Sequence, residues 1–80
     1  MLKIYGNMLC PDCVECRADL DRAGVEYEYL DIGNDLRNLK EFLRLRERPV
    51  FDEIKKAGAI GIPCIVLEDG TLTFDWSGLM

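Results

Sequence analysis

The hydrophobic pattern of this chain changes period several times, and each change marks an element. Leu2, Lys3, Ile4 and Tyr5 form a short apolar run closed by Gly6, which reads as a first strand. From Val14 to Ala23 the spacing becomes helical: Val14, Ala18 and Leu20 are set among Glu15, Arg17, Asp19, Asp21 and Arg22, and Gly24 is placed to end the helix. Val25 to Ile32 then alternates apolar and acidic residues, the period of a strand with one face buried. A strand, helix and strand of these lengths predict two parallel neighbours joined by a right-handed crossover.

Gly33 and Asn34 punctuate the chain, and Asn34 or Asp35 caps the second helix. Leu36, Leu39, Phe42 and Leu43 recur at three- and four-residue intervals, the stripe of a helix lying on a sheet. Pro49 removes a backbone donor and disfavours helix at Arg48, so Phe51, Ile54 and Ala57 are assigned to a second short helix beyond a kink, ended by Gly58 and Gly61. Residues 36–57 are longer than a minimal second helix needs. Ile65, Val66 and Leu67 read as a buried strand, Glu68-Asp69-Gly70 as a turn, and Thr71 to Phe74 as the returning antiparallel strand. The tail from Asp75 to Met80 is too short for a closing helix, and Trp76 is expected to pack against the body. The element order is β-α-β-α-(α)-β-β, without repeats or low-complexity segments.

Composition narrows the class. Eighty residues make a single domain, 1–80, of the size that buries only about 60% of its unfolded surface. Hydrophobic content of 49% and charged content of 31% describe an ordinary globular chain. No apolar stretch approaches the roughly 18 residues that span a bilayer, and the initial run breaks too soon for a signal peptide. The expectation is a cytoplasmic protein, where thiols stay reduced. A formal charge of -5 argues against nucleic acid or an anionic membrane as a partner. Residues 37–56 are the exception, with seven cations against four anions. That block reads either as a solvated helix face or as a local anion site for a peptide carboxylate.

The chemistry lies in Asn7 to Cys16, N-M-L-C-P-D-C-V-E-C, which holds three of the four cysteines. Cys10-Pro11-Asp12-Cys13 falls at a strand-to-helix junction. Pro11 suits the first helical turn, so Cys10 sits beside unpaired N–H groups and the positive end of the helix dipole. Free cysteine titrates near about 8.5, and such settings lower it to roughly 3.5–7.5, which predicts a nucleophilic thiolate. Asp12 opposes this, because a nearby carboxylate disfavours a second negative charge. Cys13 is placed to attack the mixed disulfide formed on Cys10. Cys16, one helical turn further, can be core, exposed or an accessory. Cys64 is either a small strand residue or, with Cys10, Cys13 and Cys16, part of a metal site for zinc or an iron–sulfur cluster. Accessory redox roles for Cys16 and Cys64 stay open beside these.

Cys10-Pro11-Asp12-Cys13 after a first strand, with Ile62-Pro63 opening a later one, resembles the glutaredoxin branch of the thioredoxin fold. Short bacterial glutaredoxin-related proteins with an extended middle helical region are the nearest likeness, and the element order agrees over nearly the whole chain. The resemblance implies an α/β, thioredoxin-like (glutaredoxin-type) three-layer fold with a four-stranded mixed sheet and a short C-terminal tail. It implies an enzyme, a thiol-disulfide oxidoreductase with a CxxC redox-active centre. Cys10 would be the nucleophile and Cys13 the resolving thiol. Pro63, cis and facing the active cysteine, would shape the substrate groove, flanked by Pro11. The Ile62 backbone would pair with a bound peptide or glutathione. No resident cofactor or metal is implied. The substrates would be protein disulfides or low-molecular-weight mixed disulfides, with glutathione or a thioredoxin-reductase-like enzyme as reductant. Asn7 stands where the family often has lysine, and Asp12 replaces an aromatic residue. Both remove positive character, which implies a more reducing pair. The segment that binds the amino end of glutathione has only Asp75 and Ser77 as stand-ins. Arg44, Arg46 and Arg48 are the candidates for a substrate carboxylate.

Overall fold

The computed structural model describes residues 1–80. Strand β1 (Leu2–Gly6) leads to helix α1 (Pro11–Arg22), strand β2 (Tyr27–Asp31), helix α2 (Leu36–Leu45), the short helix α3 (Asp52–Lys56), and strands β3 (Cys64–Val66) and β4 (Leu72–Thr73). Single 3₁₀ turns precede α3 at Pro49–Phe51 and follow β4 at Ser77–Leu79. The four strands form one mixed sheet in the order β2-β1-β3-β4. β1 runs parallel to β2, with Ile4 opposite Tyr29, and antiparallel to β3, with Ile4 opposite Ile65.

Each predicted boundary has its physical cause. Asp35 caps α2, its Oδ1 accepting from the Arg37 N–H at 2.8 Å. Gly24 leaves α1 in the left-handed region at φ 71°. α2 already ends at Leu45, capped by Arg46, and Pro49 opens the 3₁₀ turn that follows, so α3 is a separate short helix. Asp69 and Gly70 make the β3–β4 turn, where Gly70 at φ 88° donates to the Leu67 carbonyl and Thr71 N–H to the Asp69 carboxylate. β4 spans only Leu72–Thr73, two residues inside the predicted Thr71–Phe74.

The sheet separates two cores. On one face Ile4 and Ile65 meet Cys16 and Leu20 of α1, with Tyr27, Tyr29, Trp76 and Leu79 packed against them. On the other, Tyr5 and Cys64 meet Phe42 of α2 and Phe51, with Leu30, Ile54 and Phe74 alongside. Neighbouring strand residues therefore serve opposite layers, as the pleat requires. Trp76 does pack inward, and its indole N–H donates to Asp19 Oδ2 at 2.9 Å.

Two stripes differ from the pattern reading. α1 buries Cys13, Cys16 and Leu20, while Val14 and Ala18 face solvent. The three- and four-residue intervals belong to the cysteines, which act here as small apolar residues. α2 buries Phe42, with Leu39 and Leu45 half-buried, and leaves Leu36 and Leu43 exposed. Leu43 stands about 100° round the helix from Phe42, too far to reach the same sheet face. Ala57 is exposed as well, just past the end of α3.

No helix is long and apolar enough to cross a membrane.

Candidate active site

Gly6 ends β1, and the four residues Asn7 to Cys10 turn the chain into α1. Asn7 organises that turn. Its carbonyl accepts from the Cys10 N–H at 3.0 Å and its side-chain oxygen from the Leu9 N–H at 2.8 Å, while its amide nitrogen donates to Asp31 Oδ1 at 3.1 Å. Asp31 in turn accepts from Gly33 N–H and the Asn34 side chain, so the ends of β1 and β2 are tied around one carboxylate. In the sequence Asn7 is conspicuous only as the residue standing in for lysine. An asparagine after a strand-ending glycine, with an aspartate ending the next parallel strand, is the signal that could have found this tie.

Cys10 occupies the N-cap of α1 with extended dihedrals, and Pro11 opens the first turn. Its sulfur is partly exposed and lies 3.9 Å from the Ile62 carbonyl oxygen. Pro11 and Asp12 are exposed beside it, Ile62 is half-buried and Pro63 buried. The Ile62–Pro63 peptide is cis. Cys10 and Ile62 thus meet although they are 52 positions apart in sequence, and Pro11 and Pro63 follow them directly in the chain. Gly61, at φ 95°, lets the chain arrive there: a Cβ at that position would lie 2.6 Å from Phe51 Cε1.

Cys13 is fully buried, one turn behind Cys10. Burial pushes its thiol up to about 12, a backbone N–H of Asn7 works against this, and a hydrogen bond with Cys10 adds to the rise. Gly6 makes room for its sulfur, since a Cβ there would stand only 2.9 Å from Cys13 Sγ. None of the four cysteines is in a disulfide.

The structure does not bring all four cysteines to one end. Cys16 is completely buried with Ile4, Leu20 and Ile65, whereas Cys64 is completely buried in the opposite layer with Tyr5, Phe42 and Phe51. The pleat explains the separation, because Cys64 pairs with Tyr5 in register and so shares its face. No three cysteine, aspartate or glutamate side chains converge as ligands of one ion. Burial raises the Cys16 and Cys64 thiols to about 11 each.

These three raised thiols make stability depend on alkaline pH. Their folded values, about 11 to 12, lie above that of a free thiol, which titrates by about pH 9. Below the ordinary value the unfolded and folded chains hold the same thiol protons. Above it the unfolded chain releases them first, so the contribution is present below pH 9 and lost as pH rises toward the folded values. The thermal midpoint under reducing conditions should fall between about pH 9 and pH 11, and fall less steeply in Cys16→Ala. A flat profile would contradict the burial of these thiols.

A groove of about 430 Å³ opens beside Cys10. Leu9, Ile32, Ile60 and Ile62 line it together with Asn7 and Gly33. Leu9 is 93% exposed and Ile60 57% exposed, so the reachable surface next to the sulfur is apolar. The basic block contributes differently from expectation. Arg46 donates to the carbonyls of Ala59 and Ile60 at 2.8 and 2.9 Å, bracing the segment that leads to Ile62, and Arg48 donates to the Gly70 carbonyl at 3.0 Å. Arg44 alone of the three makes no such bond.

The chain is similar to an uncharacterized protein of Haemophilus influenzae, with 44% identity over 71 residues that cover 88% of this chain and 83% of the relative. It belongs to the same family as that protein. No family model matches the sequence, and no solved structure matches it.

Proposed function

We propose that this protein is a glutaredoxin-like thiol-disulfide oxidoreductase of the thioredoxin-like fold. What carries the reading is the asymmetry of one cysteine pair: Cys10 is reachable at the start of a helix, and Cys13 is sealed one turn behind it. An exposed thiol can meet a substrate disulfide, whereas a buried one can only act on what its neighbour has captured. Cys10 attacks the substrate disulfide, forming a mixed disulfide and releasing the first substrate thiol. Cys13 then attacks the Cys10 sulfur, releasing the second thiol and leaving a Cys10–Cys13 disulfide. An external reductant, glutathione or a thioredoxin-reductase-like enzyme, restores the dithiol. The parallel β1–β2 half, the antiparallel β3–β4 half and the helical layers on both faces support the fold assignment.

The substrate is a protein disulfide or a mixed disulfide with a low-molecular-weight thiol, held in the groove against Ile62. The apolar lining favours apolar groups flanking the disulfide. Of Arg44, Arg46 and Arg48, only Arg44 is not engaged with a backbone carbonyl and is left for a substrate carboxylate. The site operates in the cytoplasm, where a reductant pool keeps Cys10 and Cys13 as thiols.

Thiol counting tests this. Protein purified without oxygen should lose two thiols reversibly on mild oxidation, and the loss should disappear in Cys10→Ser and in Cys13→Ser. Near-stoichiometric zinc or iron on the purified protein, with fewer than two titratable thiols, would overturn the reading in favour of a metal site.

A further inference from the structure

Tyr29 carries a buried hydroxyl with no hydrogen-bond partner, and no other buried side-chain nitrogen or oxygen in the chain is left in that condition. Such a group is costly, and native structures leave few of them unpaired. Its surroundings suggest what it is kept for. The residue lies on β2, opposite Ile4 of β1, on the sheet face covered by α1. The Tyr29 hydroxyl and Cys13 Sγ border the same small gap above Gly6: from the point where a Cβ of Gly6 would stand, the hydroxyl is 3.2 Å away and the sulfur 2.9 Å. The gap exists only because residue 6 has no side chain. The Arg17 guanidinium sits 4.1 Å above the centre of the Tyr29 ring and holds it in place.

We propose that Tyr29 is a positioning residue for Cys13, its hydroxyl donating a hydrogen bond to the Cys13 sulfur when that sulfur becomes a thiolate and the two side chains close the gap between them. This rests on the dithiol reading above. Resolution needs Cys13 to give up its proton. Its sulfur then bonds to Cys10 Sγ, the bond between Cys10 and the substrate sulfur breaks, and the departing sulfur takes the electron pair and a proton. The enzyme pair is oxidised and the substrate reduced by the same two electrons. A fully buried thiol resists the ionisation, and a donor aimed at its sulfur offsets part of that resistance. In the resting dithiol the hydroxyl is unpaired, so it is available at the moment charge appears. Burial, reinforced by Cys13 and Asp31, pushes the Tyr29 hydroxyl up to about 12, so it keeps its proton near neutrality and acts only as a donor. The other titratable groups bearing on Cys13 are Cys10 and Cys16 of α1, and those bearing on Tyr29 are Asp31, Arg17 and Cys10. All of them are retained when only the hydroxyl is removed.

The test uses Tyr29→Phe and an aromatic disulfide whose released thiolate is coloured. The first release reports attack by Cys10, and the second reports resolution by Cys13, each followed as a function of pH. We expect the first release to be unchanged in Tyr29→Phe. The second should slow by about tenfold near neutral pH, with its pH midpoint moved upward, the scale expected for losing a hydrogen bond to a charged group. An unchanged second release with an unchanged midpoint would overturn the proposal. So would equal slowing of both releases together with a lowered thermal midpoint, which would mark Tyr29 as a packing residue. Failure of the dithiol reading looks different: the unmodified protein would then show no second release that Cys13→Ser removes.

Discussion

Cys10→Ser is expected to abolish disulfide turnover, lowering the rate by more than about a thousandfold, because no other thiol can take its place as the attacking group. Cys13, Cys16 and Cys64 are each completely shielded from solvent, so a substrate disulfide cannot reach them without the protein opening. The hydroxyl that replaces the thiol occupies the same N-cap and is a good capping group, so the helix should not suffer. Cys13→Ser should behave differently. Capture by Cys10 continues, the mixed disulfide accumulates, and only a glutathione-dependent single-thiol route remains. The measurement is reduction of a model mixed disulfide with excess reductant, paired with mass analysis of the trapped adduct. Unchanged turnover in Cys10→Ser would end the proposed mechanism, whatever the fold.

The largest stability loss is expected from Phe51→Ala, at about 3–5 kcal/mol for deletion of a completely buried aromatic side chain. Phe51 follows the interruption at Pro49, and its ring meets Phe42 edge-on at 6.0 Å and Phe74 edge-on at 5.1 Å. It therefore joins α2, the turn before α3 and the tail beyond β4 in one layer. A chain of this size has a total stability of roughly 5–15 kcal/mol, so the loss consumes much of it, and each kcal/mol should lower the thermal midpoint by about 4–8 °C. Phe51→Leu, which refills most of the space, should cost less than half as much. Chemical denaturation of both variants is the measurement, and a loss under about 1 kcal/mol for Phe51→Ala would mean that this layer is not the packed core described. The site should feel the change too. Phe51 lies against Gly61, so loosening it frees the segment that sets Ile62 opposite Cys10.

Much of the architecture follows from local rules that need no knowledge of neighbours. Gly24, Asp35, Pro49 and Asp69-Gly70 act within a few residues of themselves, through positive φ, side-chain capping or a missing donor. The two ends of α1, the start of α2, the separation of α3 and the β3–β4 turn are therefore legible directly. The Cys10-Pro11-Asp12-Cys13 spacing across a strand-to-helix junction is local as well, which is why the pair stands out.

The illegible part depends on direction. Helical spacing shows that apolar residues recur, but not which of two adjacent stripes meets the sheet, so Val14, Leu36 and Leu43 read as inward although they face water. Cysteine is ambiguous in the same way, being both chemistry and small core residue, and Cys16 and Cys64 serve as core here. Arg46 and Arg48 can be counted from the chain, yet their use as braces on distant carbonyls cannot.

The sequence by itself determined the order of the elements and several of their boundaries, the parallel first crossover, and one cysteine pair at a helix start, because those depend on backbone rules acting over a few residues. Only the tertiary structure decided that Cys64 lies on the face opposite Cys16, that Ile62 faces Cys10, and that Tyr29 and Cys13 share the gap over Gly6. These depend on strand register, and a pleated sheet assigns each residue to a layer only once its pairing is set.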